Sequence, residues 1–435
     1  MMESDSMCPP PAIKPRLSLM MFFQYAIWGA WLPILYPFLL GHRHFTLEQT
    51  GYCLAAGAVG AILGPAIAGR LADKSFSTER LLAISHLLGA GLVWKLGQTE
   101  DFRSFFVLSA IYGLVYAPTL ALTNSLALAN LENRDRDFGP VRLWGTIGWI
   151  AAGIMVGQIL LRSHTPTGVS PEALAAAQNA GRAVAFNISA ALGVAMAIYC
   201  LTLPHTPPAG KAVASSPMDK ALAEIRVQPL ITLFLIAVPV SMIHQFYFVF
   251  TSDFVSGIQN NAGSETANAF ANNVNQILGV GGGGLMTIGQ MTEIVVLGLI
   301  PALAKSLTRK QLLGIGLLAY ATRMALFAYF PTLVPVLLGV ALHGLCFGCF
   351  IFVAFMVVDE HTSATVRATA QNLFNLVIVG IGIIVGSWFA TGVVAKWASA
   401  SGSMDHAKLF SVPMWMALAC FVALLVAYPS GRRTS

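Results

Sequence analysis

The sequence predicts an all-α polytopic membrane protein with twelve transmembrane helices. Of the 435 residues, 56% are hydrophobic and only 10% are charged, whereas soluble domains carry about 25% charged residues. The apolar residues form long runs, and many of these reach the roughly 20 residues that a helix needs to cross a bilayer. These two observations exclude a soluble protein with a large core.

Counting the apolar runs between polar breaks places the twelve spans. The first six are 17–40, 47–72, 80–98, 102–131, 140–162 and 181–203; the last six are 228–256, 280–306, 309–330, 332–358, 364–395 and 407–429. The most polar interruption that also carries several basic residues lies between spans six and seven. We therefore predict an N-terminal six-helix bundle over 1–204, a cytoplasmic linker over 205–227 and a C-terminal six-helix bundle over 228–435.

The distribution of Lys and Arg predicts the orientation. With a cytoplasmic N-terminus, the cytoplasmic segments hold seventeen of these cations and the opposite loops hold six. Because cytoplasmic loops of membrane proteins are enriched in Lys and Arg, we expect both termini on the cytoplasmic side. The same asymmetry accounts for the net charge of +6 without a nucleic-acid partner. The first apolar run is too long for a cleaved signal peptide, so we interpret it as the first transmembrane helix.

The two halves resemble each other. Val141 and Arg142 open the fifth span, and Val366 and Arg367 open the eleventh in the same register. Two parallel repeats of six helices joined by a basic loop are typical of major facilitator transporters, which is the fold that we predict. The run Gly-x-Leu-Ala-Asp that ends at Asp73 resembles the loop signature of that superfamily, in which the Asp is expected to cap and pair at a helix end.

Gln290 and Glu293 stand out in the eighth span. Residues three apart on a helix lie on one face, and an ionisable residue at membrane depth is costly and usually faces a cavity. Glu293 is therefore our candidate for proton coupling, because it lies near the middle of its span. The alternative is a buried polar residue that pins helices together.

Several segments in order resemble the nucleoside:proton symporter family, a branch of the major facilitator superfamily. The resemblance covers nearly the whole length. It is carried by Phe23-Gln24 with Trp28-Gly-Ala-Trp31, Ala117-Pro-Thr-Leu120, Pro140-Val-Arg-Leu-Trp-Gly-Thr-Ile-Gly148, Gln290-Met-Thr-Glu293, Arg323-Met-Ala-Leu-Phe-Ala-Tyr329 and Val366-Arg-Ala-Thr-Ala-Gln371.

The resemblance implies a set of substrate contacts. These are Arg142, Thr146 and Trp149 in the fifth span, Gln245 in the seventh, Gln290 and Glu293 in the eighth, and Phe347 in the tenth. Three positions depart from the family pattern. Phe248 stands in place of an Asn, and His343 and Gly348 stand in place of a Tyr and an Asp. The predicted pocket loses an amide and a carboxylate and gains a ring and an imidazole.

The residue types suit a nucleoside, which presents hydroxyls, a base edge and a flat apolar face. Carboxamides and a carboxylate match the polar edges, and aromatic rings match the base. The aromatic rings available to stack on the base are Trp149 and Phe347, together with Trp28 and Phe248. His343 has two interpretations, a core histidine and a titrating group, and the first is favoured.

Three cationic residues have competing roles. Arg142 lies near the end of its span, where a snorkelling arginine is common, but the family match favours substrate contact or gating. Arg323 lies deeper, so we predict a structural role with a carbonyl or a carboxylate as its partner. Arg367, at the start of the eleventh span, is grouped with Asp73 as a gating or structural residue.

Together these features predict a proton-coupled nucleoside importer of the bacterial inner membrane, working by alternating access to a central site. We expect a monomer whose partners are nucleoside, protons and lipid, with no cofactor, metal or nucleic acid. Two alternatives keep the fold: a carrier of another neutral metabolite, such as a sugar or a nucleobase, and an uncoupled facilitator. A membrane enzyme or a sensor is disfavoured, since the sequence shows no paired carboxylates, metal-spaced histidines or Ser-His-Asp arrangement.

Overall fold

A computed structural model describes residues 13–74, 77–207, 218–260, 265–281, 284–363 and 365–429. Within these ranges every regular element is a helix. Eleven of the described helices are long and apolar enough to cross a membrane. The predicted span 47–72 also forms a helix, Leu47–Lys74, but its side chains from residue 64 onward, that of Asp73 included, lie outside the described residues.

Twelve helices of the described ranges correspond to the twelve predicted spans. The N-terminal six are α1 Ile13–Gly41, α2 Leu47–Lys74, α3 Thr78–Gln98, α4 Phe102–Asn130, α5 Arg134–Ser163 and α6 Val184–Cys200. The C-terminal six are α7 Leu230–Asn260, α8 Thr287–Ser306, α9 Arg309–Tyr329, α10 Leu333–Glu360, α11 Thr369–Ala398 and α12 His406–Ala427. Most boundaries lie within four residues of the predicted ones.

Three stretches differ from the sequence prediction. The α8 helix begins at Thr287, seven residues after the predicted start. The α5 helix begins six residues before the predicted start, because the Asn133 side chain caps it by accepting a hydrogen bond from the Arg136 N–H at 3.0 Å. The segment 257–279, in which the sequence shows no motif, contains a helix over Glu265–Leu278, which we call the outer helix. Further helices cover Pro171–Gly181 and Met218–Ile225; the second is called the linker helix.

Two separate apolar clusters form the core. One consists of residues between 13 and 203, and the other of residues between 225 and 428 together with Tyr36. Tyr36 lies in α1, but its ring packs edge-on against Phe250 of the second cluster, with 5.1 Å between ring centroids. The predicted division into two bundles stays a prediction, and the two clusters are consistent with it.

The halves are joined at the end of the bundle opposite the termini. The Gln158 side chain at the end of α5 donates to the carbonyls of Gln276 and Ile277 at 2.8 and 2.9 Å. The Val280 N–H donates to the Gly157 carbonyl at 3.1 Å. The outer helix is thereby fixed to α5, and it closes this end of the interface between the halves.

The segment between the halves is tied down at both ends. At its start, His205 Nδ1 and the Thr206 N–H contact the Glu79 carboxylate at 2.8 and 3.0 Å. At its other end, the Glu224 carboxylate of the linker helix accepts hydrogen bonds from the Ser363 N–H at 2.9 Å and the Ser363 hydroxyl at 2.7 Å. The linker helix therefore belongs to the C-terminal half.

We expect docking of the linker helix to weaken in acid. The hydrogen bonds from the Ser363 hydroxyl and N–H hold the pKa of Glu224 below its ordinary value of 4.5. A carboxylate whose pKa is lowered by folding stabilises the folded state above its unfolded pKa, and this contribution is lost as the pH falls through the folded pKa. Hydrogen exchange of residues 218–225, corrected for intrinsic rates, should stay slow near neutral pH and accelerate as the pH falls below the ordinary pKa of 4.5.

Glu224→Ala is the matched control for this experiment. The variant should exchange faster at neutral pH and should lack the acid response, because the titrating group is gone. An acid response in Glu224→Ala equal to that of the parent would contradict the assignment.

Candidate functional site

A polar cluster lies inside the C-terminal half, where α7, α8, α9 and α10 meet. His343 is at its centre: Nε2 lies 3.4 Å from Glu293 Oε2, and Nδ1 lies 3.2 Å from Arg323 Nη1. The side chains of His343 and Glu293 are 3% and 13% exposed, and Arg323 is completely buried. The cluster therefore places a carboxylate, an imidazole and a guanidinium together in an apolar environment.

Close packing of α8 against α10 brings Glu293 and His343 together. A Cβ atom on Gly344 would lie 2.4 Å from the Thr292 carbonyl oxygen, so a side chain at that position would separate the two helices. The Thr292 hydroxyl also donates to the Ala341 carbonyl at 2.7 Å. Gln290, one turn before Glu293, is itself buried. The predicted polar face of α8 thus points into the protein.

Aromatic rings enclose His343. The Tyr247 ring stacks on the imidazole with 4.8 Å between centroids and 20° between planes. The Phe248 and Phe347 rings lie 6.3 and 6.5 Å from it, and His244 lies at 5.4 Å. The three predicted residues His343, Phe248 and Phe347 therefore share one site with Glu293.

Arg323 has a different partner from the one predicted. We expected a carbonyl or a carboxylate, and the structure gives the His343 imidazole. The guanidinium carbon also lies 4.2 Å from the Tyr247 ring centroid and 5.0 Å from that of Tyr320. The expectation was wrong because ring faces attract a cation, and their number around Arg323 cannot be seen in the sequence.

Gln245 points away from this cluster towards α11. Its amide nitrogen donates to the Ser387 hydroxyl at 2.9 Å, and both side chains are buried. One of the two donors that this amide offers a ligand is therefore already used within the protein.

The N-terminal half contributes a guanidinium and two indole rings. The guanidinium of Arg142, on α5, lies 4.0 Å from the Tyr25 ring centroid, and α5 packs against α8. Trp28 and Trp149 are edge-to-face, with centroids 6.4 Å apart. Thr146, one turn before Trp149, is partly exposed.

A hydrogen-bonded network behind Trp28 escaped the sequence interpretation. The Gln24 amide bridges His86 Nε2 at 2.9 Å and the Thr119 hydroxyl at 2.8 Å, and the Tyr116 hydroxyl donates to the Gln24 carbonyl. The Tyr116 ring lies 5.4 Å from Trp28. A glutamine and a histidine inside apolar spans were the available signal.

The predicted gating residue Arg367 lies apart from the site. It is exposed near the end that carries the termini, where its Nε lies 3.6 Å from Asp359 Oδ1. Gln371 donates to the same oxygen at 2.9 Å. Arg367 therefore joins α10 to α11 at this end and does not reach the polar cluster.

The structure explains why Gly348 carries no side chain. Its Cβ would lie 2.6 Å from Val296 Cγ1, so Gly348→Ala should cost about 1–3 kcal/mol of stability by overpacking. Val296→Ala added to it should restore most of that loss. Gly298→Ala on α8, which meets nothing within 4 Å, is the matched control and should be neutral or slightly stabilising. Thermal unfolding in detergent measures all four proteins, and an undiminished stability of Gly348→Ala would refute the packing argument.

Comparison with known proteins identifies the family of this chain and its fold. Residues 12–432 match the family described as Nucleoside H+ symporter. YegT of Escherichia coli (strain K12), provisionally named a nucleoside transporter, is 31% identical over 85% of this chain and 82% of its own. The xanthosine permease of the same strain is 27% identical over 95% of each chain. A crystal structure of a point mutant of the nucleoside transporter NupG matches with a TM-score of 0.80 and 24% identity over 96% of this chain and 100% of its own.

These matches confirm the fold and the resemblance. The NupG structure has the same arrangement of helices over its full length, which confirms the predicted major facilitator fold. The family match covers nearly the entire chain, and the relatives are named for transport rather than for catalysis. The chain therefore belongs to the nucleoside H+ symporter family, as a multi-pass membrane transporter and not an enzyme.

Proposed function

We propose that this protein is a proton-coupled nucleoside importer that uses Glu293 as its proton-carrying group. The observation that carries the proposal is the position of that carboxylate. It lies on α8, almost buried and 3.4 Å from His343, and α8 packs against α5 of the other half. A carboxylate on a helix that contacts both halves of the protein is suited to link its protonation to their relative movement.

The residues around Glu293 suit a nucleoside. Gln290 and Glu293 offer an amide and a carboxylate to the ribose hydroxyls and the base edge, and Phe248 and Phe347 offer apolar faces to the base. From the opposite wall, Arg142, Thr146, Trp149 and Trp28 complete the proposed pocket. Gln245, already bonded to Ser387, contributes through its remaining amide atoms.

Proton coupling follows from the cost of charge in the membrane. A charged carboxylate at this depth is unfavourable by several kcal/mol unless it is compensated. We propose that Glu293 binds a proton and the substrate binds beside it while the site faces outwards, and that both are released inwards. Contacts at the end opposite the termini, from Gln158 to the outer helix, would open and close in alternation with the other end.

The remaining parts of the proposal rest on charge distribution and on relatives. The excess of Lys and Arg near the termini supports cytoplasmic termini, and bacterial relatives support a bacterial inner membrane. We propose that one copy of the chain is the transporting unit, because each six-helix half contributes one wall of the pocket.

Uptake into proteoliposomes tests the proposal directly. Labelled uridine, adenosine, inosine and xanthosine should accumulate against their gradients only when a pH gradient is imposed, acidic on the outside. Glu293→Gln should abolish accumulation, because an amide does not carry the proton. Glu132→Gln, which alters an exposed carboxylate, should accumulate like the parent. Equal uptake with and without the gradient would leave an uncoupled facilitator.

A second candidate ligand is a free nucleobase. Phe248 and Gly348 stand where the family pattern has an amide and a carboxylate, and Val296 occupies the space beside Gly348. A pocket with more rings and fewer polar groups favours a flat base over a hydroxyl-rich sugar.

Thermal unfolding with added ligands separates these candidates. A ligand that binds the folded protein at 100 times its Kd stabilises it by about 2.7 kcal/mol. We expect nucleosides to raise the melting temperature more than their free bases or sugars. A larger shift with the bases alone would replace the nucleoside by the nucleobase as the substrate class.

A further inference from the structure

The polar cluster contains an arginine that the proposed transport cycle does not use. Arg323 is completely buried in α9, and its Nε and Nη2 atoms lack a hydrogen-bond partner among the described residues. The ion pairs of the described ranges include none between Arg323 and a carboxylate. A buried, permanent charge without compensation costs several kcal/mol. The stability of this arrangement therefore depends on the anion that is linked to Arg323 through its contacts.

That anion is Glu293, reached through His343. The Arg323 guanidinium has only N–H donors, so the His343 Nδ1 atom 3.2 Å away must be the acceptor and carries no proton. A neutral imidazole then has its one N–H on Nε2. This atom lies 3.4 Å from Glu293 Oε2. The geometry therefore sets the tautomer, and the protonated Nε2 is the ring nitrogen on the side of the carboxylate.

We propose that Arg323 and His343 are positioning residues that stabilise the Glu293 carboxylate and so set the pH at which it takes up its proton. Arg323 supplies the counter-charge, and His343 lies between the two groups: it accepts a hydrogen bond from the guanidinium at Nδ1 and turns its Nε2 side, the positive end of its dipole, towards the carboxylate. The inference rests on the proposed role of Glu293 as the proton-carrying group. It also gives His343 a role other than direct substrate contact.

Contacts with neighbouring side chains hold Arg323 and His343 in place. The Tyr247 ring covers one face of the imidazole at 4.8 Å and also lies 4.2 Å from the guanidinium carbon, so it holds both groups. The His244 Nδ1 atom is engaged by the Tyr320 hydroxyl at 2.7 Å. We call the series Arg323, His343 and Glu293 the bridge. The ionisable groups that face it from the neighbouring helices are Arg142, His244, Tyr247, Tyr320 and Cys346.

Among these neighbours only Arg142 carries a permanent charge, and it belongs to the other half. Its distance from Glu293 changes whenever the halves move, whereas Arg323 and His343 lie in the same half as Glu293. In the proposed cycle, Glu293 therefore has one counter-charge in its own half and one, Arg142, whose distance changes.

The pH dependence of driven uptake tests the inference. The initial rate is measured over a range of external pH at a constant pH gradient, and the midpoint of its alkaline decline is compared between variants. His343→Phe keeps a ring against Tyr247 but removes both nitrogens, so its midpoint should move upwards by about one pH unit or more. His343→Gln retains an acceptor and a donor, and it should keep the midpoint of the parent even where its rate falls.

Arg323→Met should also move the midpoint upwards, because the carboxylate loses its counter-charge. Arg309→Gln is the matched control: it removes a positive charge that pairs with Glu360 at the first residue of the same helix, and it should leave the midpoint in place. If Arg323→Met does not fold, as judged by gel filtration in detergent, the two His343 variants decide the question.

The outcomes separate this inference from the proposed function. Failure of the parent protein to respond to the pH gradient overturns the proposed proton coupling. A responsive parent whose midpoint is shared by His343→Phe and by every folded Arg323 variant overturns the bridge. A shift in His343→Gln as large as that in His343→Phe also overturns it, because an acceptor and a donor at this position would then not suffice to hold the midpoint.

Discussion

The arrangement of charge around Glu293 is the constraint on which the site depends. A carboxylate in an apolar interior must be neutralised by protonation or compensated by a partner. Here one partner is the His343 imidazole at 3.4 Å, itself bonded to the buried Arg323. The aromatic rings that surround this line of groups exclude water and strengthen the electrostatic interactions within it.

This charge arrangement requires helices that approach each other closely. Gly344 allows the α10 backbone to reach Thr292, and the Thr292 hydroxyl then bonds to the Ala341 carbonyl. A larger residue at 344 would move His343 away from Glu293 without changing either ionisable group. Packing and chemistry are thus coupled in this half, and the same small residues that let membrane helices associate also determine the distance between the carboxylate and the imidazole.

The sequence predicted the fold and part of the site for a clear physical reason. Long apolar runs indicate transmembrane helices, and an acidic residue within such a run indicates a buried polar site. The twelve spans and Glu293 could therefore be identified from the sequence. The link from Arg323 to His343 was not, because it depends on how α9 packs against α10. The outer helix was missed for another reason: its Asn-rich sequence has no long apolar run, and its packing on α5 uses backbone carbonyls.

The departures in α10 acquire a common explanation from the structure. The family pattern has a carboxylate where this chain has Gly348, and Val296 fills the space beside that glycine. With Arg323 buried in the same half, loss of that carboxylate leaves Glu293 as its connected counter-charge. His343 is the residue that makes the connection, since a tyrosine in its place has one oxygen and cannot present an acceptor and a donor on opposite edges of a ring. Gly348 and His343 thus have one structural consequence in common: Glu293 is the carboxylate that is connected to Arg323, through the His343 imidazole.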